Sequence, residues 1–109
     1  MHSLDVPAVM TTAVRWEAGR AAVVEVSGDL DDHATPRLRA LLDEVSRHRP
    51  ARISVDLDAV TFFCSAAAAE LVASRSRFPC DVSVVRPPAP ARRVMAILGL
   101  GPDLQAVDG

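Results

Sequence analysis

ISVDLDAVTFFCSAAAAELV, residues 53–72, decides how the chain is read. Ile53, Val55 and Leu57 alternate with Ser54 and Asp56, which is the period of a strand. Phe62-Phe63-Cys64 is a second short apolar run, ending at Ser65. From there the alanines, the best helix formers, lead into Leu71 and Val72, and this helix is expected to end near Arg77, before Pro79. A strand leading into a helix, repeated along a chain, builds a largely parallel sheet.

The pattern extends in both directions. Upstream, Val14 and Trp16 alternate with Arg15 and Glu17, Gly19-Arg20 makes a turn, and 22–26 is a β-branched run, so 14–27 reads as a hairpin. Gly28-Asp29-Leu30-Asp31-Asp32 reads as a loop. Thr35 is expected to cap a helix with Pro36 at its first position. Leu38, Leu41, Leu42 and Val45 give that helix one apolar stripe, and Pro50 stops the chain from continuing it. Downstream, Val82, Val84 and Val85 form a strand, and Pro87, Pro88 and Pro90 a stiff connection. Val94, Ile97 and Leu98 mark a last helix with Gly99 as its stop. Leu104 and Val107 suggest an edge strand.

The order is β-β-α-β-α-β-α, an α/β fold with a mixed, mostly parallel sheet of four to five strands and three or more helices packed on it. Residues 1–12 are expected to be flexible or weakly paired, and 13–109 to form the domain. Right-handed crossovers put the carboxyl ends of the parallel strands on one edge, where sites in such folds gather. Three loops are expected there: 28–33, 62–67 and 86–90.

Composition narrows the function classes. At 109 residues, 50% apolar and 24% charged, the chain has room for one core. A net charge of -2 argues against a broad nucleic-acid surface, although all 12 basic residues are Arg. No apolar run reaches the ~18 residues of a membrane span. Nothing at Met1 to Met10 reads as a signal peptide, so a cytoplasmic protein with reduced cysteines is expected.

The chemistry-bearing residues point away from catalysis. Cys64 precedes a helix, but a phosphatase loop needs Arg six positions on, where Glu70 stands. A redox pair needs Cys three positions on, where Ala67 stands. Cys64 therefore reads as a small buried hydrophobe. A bond to Cys80 is not expected, because parallel strands place the two at opposite edges. Ser65 lacks the flanking glycines of a nucleophile elbow, having Phe63 and Ala67 there, and reads as the helix cap. Asp29, Asp31, Asp32 and His33 offer too few ligands for calcium or zinc and read as a solvated loop. His2 and His48 fit no metal spacing. Arg92-Arg93 is a lone basic pair, and no Gly-rich phosphate loop occurs. No enzyme activity, cofactor or metal is expected.

Three stretches in order resemble the STAS domain, as in anti-sigma factor antagonists. Val23-Val24-Glu25-Val26-Ser27-Gly28-Asp29-Leu30-Asp31 is similar to the family's second strand and its Gly-Glu/Asp-Leu-Asp loop. Ile53 to Ser65 is similar to its central strand and phosphorylation loop. Val82 to Val85, the prolines and Leu98-Gly99-Leu100 resemble its C-terminal part. The resemblance spans about residues 13–105.

It implies a non-catalytic regulator that binds an anti-sigma factor, itself a serine kinase of the GHKL ATPase type. In that family, phosphorylating a serine at the start of the second helix breaks the complex, because a phosphoryl group adds about 1.5 to 2 negative charges to a packed interface. The family's loop reads Asp-Ser-Ser-Gly, with the second Ser modified. Aligned on Phe62 and Leu71, this chain has Cys64, Ser65, Ala66 and Ala67. Ala66 replaces the acceptor and has no hydroxyl. The expectation is a partner-binding protein without the usual switch. Ser65 as a shifted acceptor and a STAS-like scaffold or ligand-sensing subunit of another complex are the alternatives. The expected contact surface is Asp29, Asp31, Asp32, Phe63, Ser65, Ala66 and Ala69.

Overall fold

A computed structural model describes residues 9–97 and the backbone pairing of 106–107. The order of elements is β1 (Thr11–Glu17), β2 (Ala21–Leu30), α1 (Thr35–Ser46), β3 (Arg52–Phe63), α2 (Ser65–Arg77), β4 (Asp81–Val85), α3 (Ala89–Ile97) and β5 (Ala106–Val107). This is the expected α/β architecture. Leu98, Gly99 and Leu104 lie outside the described residues, as does His2.

The sheet order is β1-β2-β3-β4-β5. β1 pairs antiparallel with β2, and β2-β3-β4-β5 are parallel. The hairpin turn is made by Gly19 and Arg20, both at positive φ (77° and 60°). That is the geometry of the tight turns that match strand twist. Arg20 then uses its guanidinium on the His48 and Arg49 carbonyls behind the end of α1.

Alternation along the strands builds one core. Ala22, Val24 and Val26 of β2, Ile53, Val55 and Leu57 of β3, and Val82 and Val84 of β4 join Leu38, Leu42 and Val45 of α1, Ala67, Ala68 and Leu71 of α2, and Ala91 and Met95 of α3 in a single cluster. All three helices therefore lie on one face of the sheet. The other face carries Arg15, Glu25, Ser27, Ser54 and Asp56. Arg15 bridges Glu25 at 2.7 Å and Glu17 at 3.0 Å across it. Parallel strands usually read as unbroken apolar runs because both faces are covered; here the polar alternation marks a face left open.

The structure corrects three boundaries. β2 runs on through Gly28-Asp29-Leu30, read from sequence as loop, beside a β3 that takes one extra residue at each of two register shifts, Glu25/Ser27 and Gly28/Asp29, and Gly28 takes φ 85°. β3 is one strand, not two short runs, because the same irregularities absorb the break in alternation at Asp58 and Ala59. β1 begins at Thr11, inside the segment expected to be weakly paired, and Met10 is buried. Pro90 lies in the first turn of α3, where a missing N–H costs nothing.

Candidate functional site

The tips of β2 and β3 lie side by side: Asp29 opposes Phe62 and Leu30 opposes Phe63. Two of the three expected loops therefore meet. The third does not. β4 ends at Val85 beside Asp56, well short of the β3 tip, so the 86–90 connection starts farther back. α3 packs along β3.

The start of α1 is locked by Asp31. Its Oδ1 accepts the Ala34 N–H at 2.9 Å, and its carbonyl accepts the Thr35 N–H at 3.0 Å and the Thr35 hydroxyl at 2.9 Å. Thr35 was expected to cap the helix. It is instead its first residue, following Ala34 at the N-cap, and its hydroxyl donates back to the preceding turn. Asp29 is also engaged, accepting from the Thr61 hydroxyl at 2.8 Å. Asp32 and His33 are exposed. No group of three or more His, Cys, Asp or Glu able to hold a metal occurs among the described residues.

The start of α2 is built differently. Cys64, not Ser65, is the N-cap, with extended backbone and its sulfur accepting the Ala67 N–H at 3.4 Å. Its amide donates to the Leu30 carbonyl at 3.1 Å, which ties α2 to the β2 tip. The Thr35 hydroxyl lies 3.7 Å from its sulfur, joining the two helix starts. Cys64 packs partly buried against the core, as a small hydrophobe does, and both cysteines are free. Ser65 is thus the first helical residue. It is exposed, and its hydroxyl has no hydrogen-bond partner among the described residues.

The alanines divide. Ala67 and Ala68 are fully buried, whereas Ala66 and Ala69 face outward on the same helix. Phe63 requires a correction: it is 2% exposed and belongs to the core, while Phe62 is 50% exposed beside Asp29. The two one-residue register shifts of β3 between Asp56 and Phe62 cancel, so alternation counted on from Leu57 already turns Phe63 inward and Phe62 outward. The outward surface is therefore Phe62, Ser65, Ala66 and Ala69, flanked by Asp29 and Asp32. Asp31 is half-buried in its turn. Farther down α2, Glu70 is buried and held by Arg77 at 2.7 Å, and Arg77 also reaches Asp43 of α1 at 3.1 Å.

One further charged pair was not visible from spacing. Asp56 on the open face is buried and bonded by Arg86 at 2.5 Å. Burial pushes the Asp56 carboxyl up, but the Arg86 bond and the Asp58 amide at 3.0 Å outweigh it and hold it below its ordinary value. Arg86 itself sits at φ 49°. Glu25, Ser27, Thr11, Asp58 and Arg86 border a shallow depression of about 320 Å³.

The family described as "Mlab, STAS domain" matches residues 14–106. In structure, the chain is similar to an anti-sigma factor antagonist from Mycobacterium paratuberculosis, with 29% identity and a TM-score of 0.85, covering 97% of this chain and 92% of that one. It is also similar in fold to SpoIIAA, an anti-sigma factor antagonist, in its unphosphorylated form (18% identity, TM-score 0.73, 90% and 89% covered). The phosphorylated form of SpoIIAA, a Bacillus cell fate determinant, gives 18% identity and a TM-score of 0.67, with 90% and 92% covered. Among curated proteins, none matches the sequence. No helix among the described residues is long and apolar enough to cross a membrane.

Proposed function

The chain belongs to the STAS domain family, and from that premise we propose that it is a non-catalytic regulator of the anti-sigma factor antagonist type. It docks a protein partner, a GHKL-type anti-sigma kinase, through the surface at the tips of β2 and β3 and the start of α2. It does so in the cytoplasm and without the usual serine switch. The likeness to the mycobacterial antagonist over nearly the whole of both chains supports the antagonist role. The observation that carries the missing switch is Ala66. Its methyl group lies outward on the first turn of α2, and the resemblance aligns it with the family's modified serine. A chain that cannot accept phosphate there remains in the form that binds.

The test uses the cognate kinase and ATP. The complex is expected to survive ATP, with no phosphate on the chain by intact mass. Stoichiometric phosphate on Ser65 would refute the reading, and the free, outward hydroxyl of Ser65 makes that the sharpest rival outcome. Ala66→Asp is expected to leave the fold intact, within about 0.5 kcal/mol as for most surface changes, and to weaken the complex at least tenfold. Unchanged affinity would remove Ala66 from the interface.

A scaffold or ligand-sensing role in another complex is the second reading. The matching family's own description, which names Mlab and not an antagonist, favours it. A thermal shift with nucleotide or lipid, with no binding to any kinase, would decide for it.

A further inference from the structure

We propose that a second copy of this chain docks antiparallel on the free edge of β1, centred on Trp16. β1 is the terminal strand of the sheet, and every one of its residues is exposed. Edge strands are commonly blunted by Pro, Lys or a bulge. β1 has no Pro or Lys, and it pairs with β2 from Thr11 to Glu17 without a register shift. Its face toward the helices carries two exposed apolar side chains, Val14 at 38% and Trp16 at 46%. Trp16 there meets the His48 ring edge-on at 6.1 Å.

The charges select both the occupant and the register. A two-fold axis normal to the sheet keeps each side chain on its own face, so the pairing must centre on a residue. Centring on Val14 sets Arg15 opposite Ala13 and leaves the two Arg15 side chains diagonal to each other. Centring on Arg15 sets the two guanidiniums directly opposed. Centring on Trp16 sets Arg15 against Glu17 of the second copy, twice over by symmetry, with the two indoles opposed on the other face. Opposite charges and aromatic pairs stabilise directly opposed positions, and like charges there destabilise. The strand is therefore complementary to itself in one register. The ladder is short, so the dimer is weak and concentration-dependent.

The full chain is to be followed by sedimentation equilibrium from low micromolar to millimolar concentration, together with the emission of Trp16, its one tryptophan. A reversible dimer with blue-shifted emission is expected. Arg15→Glu and Glu17→Arg alone should each weaken it by about tenfold or more, and the double reversal should restore it, since the swapped charges meet in the same register. Circular dichroism on each variant checks the fold. A chain that stays monomeric at millimolar concentration overturns the proposal, as does a dimer indifferent to the single reversals or not recovered by the double one.

Discussion

The two helix starts at the site edge lie within reach of each other, bridged by the Thr35 hydroxyl and the Cys64 sulfur, yet they are made on opposite terms. α1 starts in a turn that Asp31 closes with its carboxylate and its carbonyl. α2 starts on the Cys64 sulfur, followed by two exposed small residues, Ser65 and Ala66. The first spends its polar side chain on its own backbone. The second leaves its outer first turn uncommitted, which under the proposed function lets a partner approach close to the backbone. On that proposal, the contrast separates anchoring from recognition within one edge of one sheet.

The largest expected effects test whether the contrast is confined to the first turns. Leu38 of α1 and Leu71 of α2 are both fully buried. Leu38→Ala and Leu71→Ala should each cost about 2–5 kcal/mol, read by urea denaturation. Similar costs would show the helix bodies equally held; a much smaller cost at Leu71 would extend the looseness of α2 through its whole length. Next, Asp31→Ala should cost about 1 kcal/mol through loss of its bond to the Ala34 amide, or roughly 4–8 °C in Tm for a domain near this size. A neutral result would break the claim that Asp31 anchors α1. Smallest is Cys64→Asp, which replaces a weak acceptor with a strong N-cap at a helix N-terminus and should gain about 0.5–1 kcal/mol. Loss of stability in thermal melts would mean that packing of the sulfur, not its bond to Ala67, holds that position.

Much of the fold was legible because periodicity carries it. The leucine stripe of α1, the alternation of Ile53, Val55 and Leu57, and the valines of β4 each repeat at the spacing of their element. Phe62 and Phe63 are separable by counting in twos from Leu57, since the two register shifts of β3 cancel before Phe63; the buried Val60, which lies between those shifts, breaks the pattern and hides it. The caps were misplaced for another reason. Thr35 and Ser65 are good caps by residue type, but the residue that caps is set by where the preceding strand releases the chain. At α2 the Cys64–Leu30 bond puts that point one residue earlier. The Arg86–Asp56 pair spans 30 positions in sequence and leaves no local pattern. The exposed Ala66 was legible from the motif alignment, and its outward position follows from helical geometry once α2 is placed.

The sheet order β1-β2-β3-β4-β5 runs in the same sequence as the chain itself. Each strand adds to an edge that is already made, and no slot has to be held open for a later one. As the chain leaves the ribosome, amino terminus first, the domain can assemble by accretion from one side to the other, with every newly synthesised strand docking beside its predecessor.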